Sequence, residues 1–172
     1  MCDSWHNLLD PLRVRSCGDK DAPAPTIRSE GVLYAPMRDG RVSMTDVRDI
    51  AAVAVTALTH DGHEGKTYEI TGPEAISFGQ AAERLSNAVH REVRYVDVAL
   101  GTAREVLIAR GTPDWYADAM VKLFEMLSAG AGAGVSNTVQ EVTGKAPRAF
   151  DDFARDYADA FKGEFAGAGV SI

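Results

Sequence analysis

Asp46 and Asp49, three apart around Arg48 in the stretch GRVSMTDVRDIAAVAVTAL (Gly40 to Leu58), are the side chains best suited to chemistry in this 172-residue chain. Paired carboxylates beside a cation can act as general acid and base. The same residues, with Thr45, also stand where a strand (Arg41 to Met44) runs into a helix. A first helical turn leaves N–H groups unpaired and carries the positive end of the macrodipole, so short oxygen-bearing side chains suit it as caps. Capping accounts for both aspartates without catalysis. His60 and His63 in THDGHEG, beside Asp61 and Glu64, can be read as metal ligands. With no third ligand at a characteristic spacing, a solvated turn is the stronger reading. His6 and His90 have no visible partner, and no Ser-His-Asp or Cys-His arrangement occurs. No catalytic residue and no metal ligand is therefore assigned.

A dinucleotide site needs a glycine-rich turn between a strand and a helix N-terminus, where free N–H groups meet phosphate. AGAGAG (Ala129 to Gly134) follows a helical pattern rather than a strand and reads as a flexible connection between helices; Gly167 to Gly169 lies at the tail. No cofactor-binding residue is assigned. Tyr34, Tyr68, Tyr95, Trp115 and Tyr116 can line an apolar pocket, but aromatics at strand and helix spacing more often fill a core.

Behind these candidates stands a chain of single-domain length, 45% hydrophobic and 25% charged, which are globular values. The net charge of −7 and pI near 5.0, without clustered Lys and Arg, argue against a nucleic-acid-binding surface. Cys2 and Cys17 form no disulfide framework and no CxxC, which suits a reducing compartment. No apolar run reaches membrane-spanning length, and the N-terminus has neither a basic nor an apolar leader region. The expectation is a cytoplasmic protein with no membrane partner.

In chain order, residues 1 to about 26 are punctuated by Pro11, Gly18, Pro23 and Pro25, with one apolar cluster (Trp5, Leu8, Leu9, Leu12) and a loop from Cys17 to Pro25. Gly31 to Pro36 reads as a strand, and Arg38-Asp39-Gly40 as a turn into the next, so the two strands form a hairpin or a nearby pair. In the helix that follows, Val47, Ile50, Ala51, Ala54 and Leu58 recur at helical spacing with apolar flanks, so it should be covered on most sides. Lys66 to Thr71 alternates as a half-buried strand ended by Gly72-Pro73. Ser77-Phe78-Gly79-Gln80 fits a capping box, opening a helix to about Val89 with Phe78, Ala81, Ala82, Leu85 and Val89 on one face. Glu92 to Ala99 reads as a strand with both faces partly covered. Helices follow over Ala103 to Ala109, from a Thr112-Pro113 cap to Ser128, over Asn137 to Thr143 before Gly144, and after Pro147 to Phe161. This order is α/β grammar.

DGRVSMTDVRDIAAVAVTAL, HEGKTYEITGPEAISFGQAAERLSNAVHREVRYVDV, RGTPDWYADAMVKLF and EVTGKAPRAFDDFARDYADAF occur in that order. Together they resemble the C-terminal half of NmrA-like proteins, an atypical branch of the short-chain dehydrogenase/reductase superfamily. The resemblance runs from about Ala24 to Lys162; residues before it match no more than Asn7-Leu8-Leu9. It implies an α/β, partial Rossmann-like fold: an irregular segment (1–25), a C-terminal substrate lobe with few strands and several helices (26–163), and a flexible tail (164–172). In the family the N-terminal half carries the glycine-rich NAD(P) loop, and members include NADPH-dependent quinone and azo-compound reductases and dinucleotide-binding redox sensors without evident turnover. The resemblance thus implies a truncated oxidoreductase-like chain carrying the substrate-binding half, which does not bind NAD(P) alone; the alternative is a non-catalytic sensing or regulatory protein. It points to a small-molecule substrate, with Tyr34, Met37, Asp46, Arg48 and Trp115 near its cleft. It also predicts self-association, or a need for another chain, through the surface left by the missing sheet.

Overall fold

The structure, a computed structural model, describes residues 25–162. The expected N-terminal apolar cluster, the loop up to residue 24 and the C-terminal tail lie outside the described residues. The fold is α/β, with few strands and several helices: α1 (Pro25–Glu30), β1 (Val32–Ala35), β2 (Arg41–Val42), α2 (Val47–Thr59), β3 (Ile76–Ser77), α3 (Phe78–Val89), β4 (Arg94–Asp97), α4 (Leu100–Ala109), α5 (Asp114–Ser128), α6 (Thr138–Thr143), α7 (Phe150–Asp156) and α8 (Ala158–Phe161).

The core is organised by α3. Its capping box is formed as the sequence predicts: Gln80 N donates to Ser77 Oγ at 3.2 Å and Ser77 N to Gln80 Oε1 at 3.0 Å. Phe78, Ala81, Ala82, Leu85 and Val89 are all buried. They pack with α7, α8, β1 and β4, joined by Ile27, Leu33, Phe153 and Phe161. Phe150, Phe153, Tyr157 and Phe161 form a run of ring contacts 5.1 to 6.0 Å apart. The last helix, expected as one, breaks at Tyr157, whose φ of −110° and ψ of 15° leave helical geometry.

Strand pairing departs from the sequence expectation. β1 pairs in parallel with β4, Leu33 opposite Tyr95, rather than with the next strand in a hairpin. The strand expected from Arg41 to Met44 shortens to β2, which pairs antiparallel with β3, a strand the sequence reading did not contain. In β4, Arg94, Val96 and Asp97 are exposed, so that strand is not covered on both faces as expected; among the described residues it pairs with β1 alone. Lys66 to Thr71, expected as a strand, joins no ladder among the described residues. Side chains hold it instead: Ser136 Oγ donates to Glu69 O (2.6 Å), Thr45 Oγ1 to Ile70 O (3.3 Å), and Ser136 N to Thr71 Oγ1 (2.8 Å).

Two close approaches lock the chain around β2 and its junction with α2. A Cβ on Gly72 would lie 1.9 Å from Met44 O, so only glycine lets these backbones cross. AGAGAG, expected as a flexible connector, is packed: Ser43 N donates to Gly132 O at 2.8 Å, and a Cβ on Gly132 would lie 2.8 Å from Leu127 Cδ2. The cap expected from Thr112-Pro113 also shifts. Pro113 itself occupies the N-cap of α5 without a side-chain bond, while Thr112 N donates to Leu107 O.

Candidate functional site

The strand-to-helix junction at Asp46 is built from charge. Asp46, buried, caps α2 by accepting Arg48 N at 2.8 Å and also accepts Arg48 Nε (2.9 Å) and the Arg48 guanidinium (2.6 Å). That guanidinium reaches Asp156 at 2.7 Å and stands 5.7 Å from the centre of the Tyr157 ring. Burial pushes the Asp46 carboxyl up, but the hydrogen bonds from Arg48 side chain and backbone outweigh it and hold it below the usual carboxylate range. Asp49, expected as a second cap, does something else: it accepts Arg148 N at 2.7 Å and pairs with the Arg148 guanidinium, fastening α2 to the loop before α7. Both carboxylates are bonded to arginines.

A second knot closes the C-terminal ends of β1 and β4, where open parallel sheets place their ligands. The Tyr95 hydroxyl lies 2.9 Å from both Ala35 O and Asp97 Oδ1 and accepts Met37 N at 3.2 Å; Arg38 N donates to Asp97 Oδ1 at 2.7 Å. Burial first, then the bond with Asp97, raises the Tyr95 hydroxyl well above the usual phenol range. It is a fastener in its neutral form.

The sequence-derived cleft candidates are distributed as follows. Asp46 and Arg48 are bonded to each other. Met37 is fully buried beside Tyr95. Tyr34, on β1, donates to Glu30 Oε2 at 3.2 Å. Trp115, at the start of α5, is 71% exposed, its ring edge-on to Tyr116 at 5.5 Å. Among the described residues no hydrogen bond or ring contact links Tyr34, Met37 or Trp115 to the Asp46–Arg48 pair. Arg148, which the sequence reading did not single out, pairs with Asp49, and Tyr95, read there as a pocket or core aromatic, bonds through its hydroxyl to Ala35, Met37 and Asp97. Asp49 and Arg148 are 99 residues apart, and no local signal pairs them.

Among the described residues no backbone turn offers free N–H groups as a dinucleotide phosphate cradle does. At the end of β1 the N–H groups of Met37 and Arg38 are already donated to Tyr95 and Asp97. The passage from β4 into α4 has a first turn that no side chain caps, but the strand leading to it ends in the acidic Asp97. Arg104, within α4, is committed to Asp118 (2.7 Å) and Asp114 (3.0 Å). His63 is occupied by the Tyr68 hydroxyl at 2.6 Å. Among the described residues no cluster of three or more His, Cys, Asp or Glu could hold a metal ion, and no helix is long and apolar enough to cross a membrane.

No family model matches the chain. It is 46% identical over 138 residues to an NAD(P)H azoreductase of Xenophilus azovorans, covering 80% of this chain and 48% of that protein. It is 43% identical over 141 residues to a (4-alkanoyl-5-oxo-2,5-dihydrofuran-3-yl)methyl phosphate reductase of Streptomyces griseus, covering 82% of this chain and 50% of the relative. An NADPH-dependent quinone oxidoreductase of Escherichia coli, solved with NADPH, superposes with a TM-score of 0.69 at 26% identity, over 77% of this chain and 47% of that structure. The chain thus spans about half the length of the reductases it matches, and over that half it shares their Rossmann-like α/β fold.

Proposed function

We propose that this chain is the substrate-side half of an NAD(P)H-dependent oxidoreductase of the NmrA-like kind, acting on a quinone or azo compound in the cytoplasm. The observation that carries it is the 46% identity to an azoreductase over 138 residues that make up only 48% of that relative. When bound, the dinucleotide would supply hydride. The described N–H groups of Met37 and Arg38 are already bonded, so in this reading the phosphates rest on the other half. In this reading the chain positions a substrate: Trp115, with its accessible ring, stacks on a planar acceptor, Tyr34 lies along the cleft, Met37 backs it from the core, and the Asp46–Arg48 pair sets the angle of α2. A second reading, a dinucleotide-sensing protein without turnover, is favoured by the carboxylates at Asp46 and Asp49 both being fully committed to arginines.

Titrating NADPH and, separately, a naphthoquinone against the purified chain tests this. Quenching of tryptophan emission by the quinone, lost in Trp115→Phe, with no NADPH binding below millimolar, is the expected result. Micromolar NADPH binding by this chain alone would overturn the assignment of the cofactor site to the other half. Turnover of the quinone in a reconstituted two-half protein separates enzyme from sensor.

A further inference from the structure

The last carbonyls of a helix have no partner within it and must be closed from outside. At the ends of α1 and α8 they are closed by one side chain that neither helix supplies. Arg91 stands just past α3, where His90, with a φ of 57°, turns the chain and Arg91 N donates to Ser86 O at 3.3 Å. Its Nη1 donates to Arg28 O at 3.2 Å, and its Nη2 donates to Ile27 O and, at 2.8 Å, to Phe161 O. Ile27 and Phe161 lie 64 and 70 residues from Arg91, in opposite directions along the chain.

From α1 the bonds run on into the sheet. Ile27 O also accepts Gly31 N at 3.1 Å, and Gly31 O accepts Arg94 N at 2.8 Å, where β1 and β4 begin to pair. Helices of six and four residues do not hold by propensity. Each depends on its buried side chain, Ile27 or Phe161, and on the bonds that close its end. A closing group held in common makes the two depend on each other, because opening either end leaves donors and carbonyls half-buried without partners. The forked guanidinium can serve two backbones at once, whereas an ammonium gathers its donors at one point.

We infer that Arg91 couples the first and last helices of the described fold: α1 and α8 open and close as one unit, and the state of α8 is felt at the first rung of the β1–β4 ladder. The inference stands apart from the half-reductase reading. It gives the fold a path from its last helix to the sheet whose far end carries the Tyr95 knot. Anything that orders or releases α8 therefore biases the pairing of β1 with β4, and the coupling free energy is the same in the other direction.

The test is amide hydrogen exchange on the full chain, read at Ala160 in α8 and at Gly31 and Arg94 beside the sheet. Lys162→Pro perturbs α8 locally: it removes the bond from Lys162 N to Ala158 O and disfavours helical backbone at Phe161. Exchange at Ala160 should quicken, and at Gly31 and Arg94 it should quicken with it by about threefold or more. In Arg91→Met, which keeps an apolar stem and deletes the donors, Gly31 and Arg94 should exchange faster from the outset, and Lys162→Pro should add nothing there. Arg91→Lys keeps the charge without the fork and should weaken the link in the same sense, so the comparison survives if Arg91→Met does not fold. Exchange at Gly31 and Arg94 that ignores Lys162→Pro while Ala160 quickens would overturn the coupling. An equal response at those amides in the Arg91→Met background would overturn it too, since the link would then run through the core.

Discussion

The two sides of α2 invert the usual rule of what is buried. The side turned inward carries a carboxylate, Asp49, fastened to Arg148; the side turned outward carries Ile50, Val55 and Leu58. A helix chooses its inner side by which neighbours can satisfy it, not by hydropathy alone. A buried charge with a bonded partner is stable there, whereas an apolar stripe stays bare until a surface of matching shape arrives. The difference separates the side of the junction that is bonded among the described residues from the side that those residues leave largely exposed.

The sharpest way to break the bonded side is Gly72→Ala. With its Cβ 1.9 Å from Met44 O, the chain must move a backbone, and a loss of about 4 kcal/mol or outright failure to fold is expected in a denaturant titration. Next is Asp49→Ala, which strips Arg148 of its partner and frees the loop before α7; about 2 to 3 kcal/mol should be lost by the same measurement. Smaller is the acid response of Asp46. Its folded carboxyl titrates below the usual value, so its contribution is present above about pH 4 and is lost as pH falls through the lower folded value. Thermal melts across that window should show acid destabilisation that is shallower in Asp46→Asn. At alkaline pH the sign reverses for Tyr95: its raised value means stability held below about pH 10 and lost above it. Tyr95→Phe should flatten that limb. Smallest of all, Leu58→Asp on the exposed side should change the stability of the chain alone by no more than about 0.5 kcal/mol. A large loss there would mean the outer face is already covered and would erase the contrast.

Local signals carried most of the helices. The capping box at Ser77 and Gln80 lies within four residues and depends on nothing distant, so the start of α3, its end and its buried face were all legible. Gly144 likewise stops α6 with a φ of 72° that few other residues accept. Partner choice was not legible. Asp49 looked like a cap because its neighbours in sequence are those of a cap; its real partner is Arg148, and helical spacing says nothing of it. The apolar stripe of α2 was visible in full, but sequence periodicity reports that a face wants cover and not whether this chain provides it. Lys66 to Thr71 shows the same limit from the strand side: alternation marks a segment able to pair, while the ladder depends on a neighbour. Of the cleft candidates, Asp46 and Arg48 were readable as neighbours because they are two apart. The surroundings of Tyr34, Met37 and Trp115 depend on elements far away in the chain.

The pairing of β1 with β4 sets the order in which the molecule can assemble. Tyr95 ties itself to Ala35 across 60 residues, and closing so long a loop costs conformational entropy before any ladder bond repays it. Helix α3 and its cap, all local, can form first and offer β1 and β4 an apolar surface to meet on. Refolding should therefore run through an early helical phase in far-ultraviolet circular dichroism, with the parallel pair, and the tyrosine that fastens its ends, as the slow last step.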